Sequence, residues 1–291
     1  METPYHAGEL AVQNQAGVQA EAANLGNIIG AVIKPAAKDF LQNQRFAIAA
    51  TVESKSVWAS LLTGKPGFVQ AIGDRTVRLQ VTIPSESLQI GLLVIDLSTR
   101  RRLRINGRAT RKPDGSTDVE TRQVYFNCPK YIQRRHLVAD NRQLPNTSVQ
   151  DFDSLSPKHQ QWITQTDTFF IASMHPESGA DVSHRGGYPG FVQVVNAKQL
   201  VFPDYAGNNM FNTLGNIALN PNSGLLFVDF ECGNTLQFTG TASIIWESER
   251  TQQFSGAERL IEFQIERIRE TVNATNLRWH FSEYSPFNPV L

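Results

Sequence analysis

Two stretches of this chain gather side chains able to handle an anion. In SHRGG, residues 183–187, a hydroxyl, an imidazole and a guanidinium precede two glycines. In GNN, residues 207–209, two asparagines precede Met210, Phe211, Leu214, Ile217 and Ala218. That spacing predicts a helix starting near Asn208. A helix N-terminus offers free N–H groups and partial positive charge, a seat for a phosphate. Asn208 and Asn209 are neutral, so Arg185 is the residue placed to add charge. Taken singly, Gly-Gly reads as a hairpin and the asparagines as an N-cap. Their combination points to anion chemistry.

A third stretch, RRRLRINGRATRK from Arg100, puts Arg100, Arg102, Arg104, Asn106 and Arg108 on one strand face. Leu103, Ile105, Gly107 and Ala109 take the other. Such a row repels itself unless it is solvated, as on a protected sheet edge, or faces an anion; both readings stand, with Arg102 and Arg104 as candidate ligands. NCPKYIQRRH, residues 127–136, sets Cys128 and Tyr131 among Lys130, Arg134 and Arg135. Positive charge can make a thiol reactive; a small buried hydrophobe before an amphipathic turn is the alternative. His6, His136, His159, His175, His184 and His280 are scattered without HExxH or paired cysteines, so no metal site is expected. His184 is a candidate proton donor or haem ligand. No GxGxxG or P-loop occurs, so no separate dinucleotide-binding domain is expected.

The elements that must position these groups are mostly strands. The chain has 291 residues, 41% hydrophobic and 19% charged, with zero formal net charge. That balance predicts a globular core and argues against nucleic-acid or membrane partners. No signal peptide and no apolar run of about 20 residues is visible, and Cys128 and Cys232 form no CxxC; a cytoplasmic protein with reduced thiols is expected. PGFVQ occurs twice, at 66–70 and 189–193. A shift of 123 residues superposes Phe46 on Phe169, Ser60 on Ser183 and Pro66 on Pro189. A shift of 133 superposes Gly91 on Gly224, Asp96 on Asp229 and Gly107 on Gly240, so the second copy carries ten extra residues, where the predicted helix lies.

Short strands with Gly/Pro turns make each copy a barrel or sandwich rather than βαβ units. The expected organisation is a helical segment over 1–44, a first β unit with its linker over 45–150, and a second over 151–291. Residues 5–33 read as two short helical pieces, and Pro35 opens another helix. Ser255-x-x-Glu258 resembles a capping box, and Ala257, Leu260, Ile261, Ile265, Ile268 and Val272 make a stripe that predicts a final helix. The tail from Arg278 shows no periodicity.

FFIAS, DVSHRGGYPGFVQV, LVFPDYAGNNMFNTLGNIALNPNSGLLFVDF and LQFTGTA, in that order and spacing, resemble the pyridoxamine 5′-phosphate oxidase-like FMN-binding split barrel. The resemblance is close over 167–245 and degenerate over 45–110. NCPKYIQRR is similar to a segment of a flavin-nucleotide-binding branch of that superfamily. The resemblance implies a mainly β fold of two tandem split β-barrels from an internal duplication. It implies an FMN ring lying along Ser183, His184, Arg185, Gly186 and Gly187, with the glycines allowing close backbone approach. The phosphate would sit by Asn208, Asn209 and Arg185, with Arg102 and Arg104 lent by the first unit.

In related split barrels the flavin lies between two barrels of a dimer, an arrangement a tandem chain can imitate internally; a homodimer is also expected. The implied activity is that of an FMN-dependent oxidoreductase moving hydride or electrons at the flavin, with a small-molecule substrate and NAD(P)H as partners. FAD is an alternative cofactor. Other readings are a haem-binding or haem-degrading split barrel with His184 on iron, and a non-catalytic flavin-binding or assembly module. Pyridoxamine 5′-phosphate oxidase activity itself is not expected, because the substrate-binding C-terminal segment of that enzyme is not recognisable.

Overall fold

The computed structural model describes residues 3–138 and 146–290. Two short helices open the chain, α1 (Ala7–Ala16) and α2 (Gln19–Gly26), parted where Gly17 takes a left-handed φ of 71°. α3 (Pro35–Gln42) has proline in its first turn. It leads into β1 (Phe46–Glu53), β2 (Ser56–Thr63), β3 (Val69–Ala71), β4 (Thr76–Leu79), β5 (Gln89–Asp96), β6 (Arg101–Arg111) and β7 (Thr117–Asn127). β8 (Arg134–Val138) and β9 (Ser148–Phe152) follow.

The second unit holds α4 (Pro157–Gln165), β10 (Thr168–His175), β11 (Gly179–Gly186), β12 (Gln193–Asn196), β13 (Gln199–Tyr205), α5 (Asn212–Leu219), β14 (Asn222–Val228), β15 (Thr235–Ile245), α6 (Ser248–Thr251) and β16 (Ala257–Val272). β17 (Arg278–Glu283) pairs antiparallel with β8, so the tail read as loop contributes a strand; Leu291 lies outside the described residues.

The duplication is written into the topology. The first sheet runs β2-β1-β5-β6-β7-β4-β3 and the second β11-β10-β14-β15-β16-β13-β12, the same order strand for strand, with β9 added beside β16. Leu92 faces Ile105 as Leu225 faces Phe238. Both sheets break register at one matched place, between Asn106 and Gly107 and between Thr239 and Gly240. The repeated PGFVQ marks matched turns in which Gly67 and Gly190 take left-handed φ of 88° and 93°, a conformation that favours glycine.

One strand departs from the sequence superposition. Val94 pairs with Ala47, and its counterpart Phe227 pairs with Phe169, so Ala47 and not Phe46 stands in the place of Phe169. A one-residue slip exchanges the faces of a strand. Burial agrees, since Ala47 and Ala49 fill the first barrel as Phe169 and Ile171 fill the second.

The expected C-terminal helix is instead the 16-residue strand β16. Ile261, Phe263 and Ile265 point inward with Glu262 and Gln264 between them. A bulge then lets Gly240 face Ile265 and Thr239 face Arg267, which skips Glu266. That skip moves the next inward residue to Ile268, and a three-residue step in a strand imitates helical spacing.

Each barrel encloses its own core, and a third apolar cluster lies between them, built from Phe46, Ile48, Leu93 and Ile95 against Phe170, Ala172, Val182 and Leu226. The matched glycines Gly91 and Gly224 permit this docking. A side chain at Gly91 would strike the backbone at Ala180, and one at Gly224 the backbone at Val57, the matched residue of the other unit. The two barrels therefore meet about a pseudo-twofold axis.

Candidate functional site

Two strands, one loop and one helix start converge where the units meet and line a cleft. β6 contributes Arg102 and Arg104, and the loop after β7 contributes Asn127, Cys128, Lys130 and Tyr131. β11 contributes Ser183, His184, Arg185 and Gly186, and the approach to α5 contributes Asn208 and Asn209. Of the residues singled out in the sequence, Gly187 stays outside. Its N–H donates to the Asp167 carbonyl at 3.1 Å, and a side chain there would strike Phe191. Gly186 lines the cleft, yet its tight neighbour is the Tyr131 carbonyl. Its missing side chain admits the loop after β7.

The arginine row divides. Arg100 lies in the turn before β6 and binds the Ile132 and Tyr284 carbonyls at 2.8 and 2.9 Å. Arg108 is exposed opposite Glu120. Buried Arg104 crosses to the second unit, where it pairs with Asp181 and donates to Ser183 Oγ at 2.5 Å. Asp181 also accepts from Asn106 at 2.7 Å and Asn216 at 2.9 Å, and Thr213 bonds Ser183 at 2.9 Å. This arginine is internally compensated and forms part of the cleft floor.

Arg102 is not compensated. It donates to the Cys128 carbonyl at 2.8 Å and reaches His184 Nδ1 at 3.3 Å, and among the described residues it meets no carboxylate. Burial pushes its guanidinium down to about 10, with Arg185 and Arg104 adding to the effect and Cys128 opposing it. A cation held this way gains from any anion that enters.

Arg185 bonds Asp204 at 2.8 Å, and Asp204 accepts Arg259 from the other side at 2.7 Å. Arg259 in turn lies 4.8 Å from the Phe211 ring centre and 5.1 Å from that of Trp246. Arg185 is therefore half-neutralised, although its Nε is buried with no partner among the described residues.

α5 begins at Asn212, four residues later than expected. Asn208 Oδ1 accepts from the Met210 N–H at 3.2 Å, a local turn that competes with helix. Asn209 and Phe211 both take a left-handed φ of 58°. No side chain caps α5, so its first N–H groups rely on solvent or a ligand.

His184 is buried, and its pKa lies well below the ordinary value, chiefly through burial and then through Arg102, Arg185 and Arg135. The ring is neutral. With Arg102 donating toward Nδ1, its proton sits on Nε2, which has no partner among the described residues. Of the basic residues around Cys128, Lys130 alone shares the cleft; Arg134 pairs with Glu283 and Arg135 with Asp167. Tyr131 takes a left-handed φ of 65° and donates its hydroxyl to the Ala206 carbonyl at 2.9 Å. Ser285 from the tail accepts the Tyr131 N–H at 3.1 Å, and Gln133 ties that loop to Ser285 and Asn288. The tail thus holds the wall of the cleft.

Sequence reasoning missed Asp181, Asp204, Asn127, Tyr205, Asn212 and Thr213, all at or under the cleft. Asp181 was the most findable, being a charge inside an apolar strand two residues before Ser183. Among the described residues no group of three or more His, Cys, Asp or Glu could hold a metal ion, and no helix is long and apolar enough to cross a membrane.

Residues 155–272 match the family model described as pyridoxamine 5′-phosphate oxidase. No curated protein matches the chain. Among solved structures, HupZ of Group A Streptococcus is similar at 17% identity, covering 39% of this chain and 91% of its own with a TM-score of 0.33. A Clostridium acetobutylicum protein related to general stress protein 26 of B. subtilis, of the pyridoxinephosphate oxidase family, shows 10% identity over 43% of this chain and 92% of its own, with a TM-score of 0.32. An FAD-binding protein of Mesorhizobium loti shows 12% identity over 43% and 98%, with a TM-score of 0.30. Likenesses this remote carry no argument about function. The family match instead falls on α4 through β16, the unit that supplies β11 and α5 to the cleft, so this part of the chain is similar to the pyridoxamine 5′-phosphate oxidase family.

Proposed function

We propose that the cleft binds a flavin nucleotide, FMN in the first instance, and that the protein is a flavin-dependent oxidoreductase acting on a small molecule. The observation that carries this reading is electrostatic. In a chain of zero net charge, Arg102, Arg104, Lys130 and Arg185 line one cleft with Asp204 as the carboxylate among them. The residues fit the group. Arg102 lacks a counter-charge, α5 starts without a side-chain cap, and Asn127 Nδ2 and Arg185 Nε are buried without partners among the described residues. A bound flavin supplies reversible electron and hydride transfer.

The protein's part is to hold and orient. Arg102, the start of α5 and Arg185 would take the phosphate, and the β11 edge from Ser183 to Gly186 would face the ring. His184, neutral with Nδ1 turned to Arg102, is placed to fix that arginine rather than to carry protons. The same geometry disfavours His184 as an iron ligand, since its one free lone pair meets Arg102. The lining comes from a single chain, so the reading needs no second copy; NAD(P)H and substrate would enter by the mouth.

Absorption and mass spectra of the purified protein test the reading. A flavin spectrum with FMN released on denaturation is expected, whereas a released FAD would change the nucleotide and a Soret band would favour haem. A colourless protein that takes up neither group would leave a non-catalytic module. Arg102→Ala should weaken FMN binding by about 2–3 kcal/mol, the loss of a charge-assisted contact, with the fold retained by circular dichroism.

A further inference from the structure

α1 precedes both barrels and packs on the second, where Val12 joins its core and the helix lies against α5. Its glycine Gly8 lies on Gly215 of α5 so closely that a side chain at either would strike the opposing backbone. This crossing buries Glu9, 3% exposed, beneath the first turn of α5. Glu9 accepts the His6 N–H at 2.8 Å on one oxygen and the Asn212 side-chain amide at 2.6 Å on the other. Asn212 is the first residue of α5, and its side-chain Oδ1 accepts the Tyr125 hydroxyl of β7 at 3.0 Å. The start of the helix is clamped by the N-terminal segment on one side and the first barrel on the other.

We propose that Glu9 is a positioning residue of the cleft: it holds Asn212, and through it the start of α5, so that anion binding there is linked to a proton on Glu9. The proposal rests on the flavin reading only for the identity of the anion. The groups facing Glu9 come from every neighbouring element. They are Asp181 of β11, Arg104 of β6, Tyr125 of β7, His6 and Tyr5 before α1, and His175 of β10, whose ring lies 4.2 Å from that of His6. Burial and then Asp181 raise Glu9 to about 8, against the bonds from His6 and Asn212 and the charge of Arg104. His6 is lowered by burial and by His175 and stays neutral, while burial raises Tyr5 and Tyr125. At neutral pH Glu9 therefore keeps its proton. Above about 8 it becomes a negative charge under the helix start and opposes an incoming anion. Linkage makes the effect mutual, so an anion in the cleft draws a proton onto Glu9.

Calorimetric titration of the full chain with FMN, and separately with sulfate, tests this between pH 6.5 and 9.5 in buffers of different ionisation heat (roughly the range that brackets Glu9 above a phosphate's second ionisation). The wild type should lose affinity on the order of tenfold from about pH 7 to 9 and take up protons on binding near the upper end. Glu9→Gln should bind with a flat pH profile and no proton uptake up to about pH 8.5, above which Arg102, pushed down to about 10, takes up protons in both proteins. A wild type that binds without proton uptake, or a variant that keeps the wild-type slope, overturns the proposal. The wild-type proton count near Glu9's value of about 8, below the range in which Arg102 titrates, needs no variant and so survives a Glu9→Gln protein that fails to fold. Sulfate bound with the expected slope but no FMN would end the flavin reading and leave Glu9 in place; if neither probe binds, both fall.

Discussion

The pseudo-twofold axis makes two clefts possible, and among the described residues one of them carries the charged lining. Across the developed cleft, Arg104 of β6 reaches Ser183 of β11. At the matched place on the other side, Gln237 of β15 reaches Ser60 of β2 at 3.4 Å and the Ala59 carbonyl at 2.9 Å. The cross-strand gesture is retained and the charge is gone. Thr235 stands where Arg102 would be, and Leu61 and Leu62 where His184 and Arg185 would be. Trp58 replaces Asp181, with Arg267 and Arg269 at 5.5 and 5.0 Å from its ring centre. The first unit also lacks the ten residues that make α5, and among the described residues no helix lies between β4 and β5. Identical topology and register therefore leave chemistry undetermined; a few side chains and one insertion decide it.

The comparison can be broken most sharply at its matched pair. Arg104→Ala leaves Asp181 buried without its cation and should cost about 3–5 kcal/mol in urea unfolding, while Gln237→Ala should cost under about 1 kcal/mol. Similar losses would mean the two sides are energetically alike. Glu9 offers a second asymmetry, because among the described residues the carboxylates near Trp58 and Arg269, Glu53 and Asp151, are exposed rather than buried. Its folded pKa, about 8, exceeds the ordinary carboxylate value, so the native state binds the extra proton. The stability this contributes is complete below the unfolded value of about 4.3 and is lost as pH rises toward about 8. Glu9→Gln should consequently gain in melting temperature over wild type between pH 5 and 8.5 (approximately that span of titration), and a constant difference would refute the assignment. The smallest expected contrast is between the docking glycines. Gly91→Ala and Gly224→Ala should each destabilise by about 1–3 kcal/mol, and by similar amounts, since each presses a methyl into matched backbone. Unequal effects would show that the axis is only approximate at the interface.

Much of the scaffold was legible. The two PGFVQ copies and the spacings between matched strands announced the duplication, because tight turns and inward positions constrain residue type locally. β16 was misread because its bulge inserts a residue, and a break in alternation cannot be told from a change of period in one dimension. β1 was set one place out because matching letters, Phe46 and Phe169, outweighed the pairing that hydrogen bonds impose. The start of α5 was placed too early because Asn208 prefers its own turn to capping the helix.

The site was legible as a set of residues and illegible as a circuit. Ser183, His184, Arg185, Arg102, Arg104 and the Cys128 loop could be picked out by charge and spacing, and they do share one cleft. Which of those charges is free depends on partners far along the chain. Arg104 is neutralised by Asp181 and Arg185 by Asp204, whereas Arg102 has no carboxylate among the described residues. Glu9 gave no signal at all, since an acid in the first turn of a helix is ordinary and only the Gly8–Gly215 crossing buries it. Sequence alone thus determined the repeated strands, the turns and the kinds of side chain on offer, because those follow from short-range geometry and periodicity. Docking of the two barrels decided which side chains meet, which charges cancel and which one of two equivalent clefts is built, because electrostatic and packing terms act through space between residues the chain keeps apart.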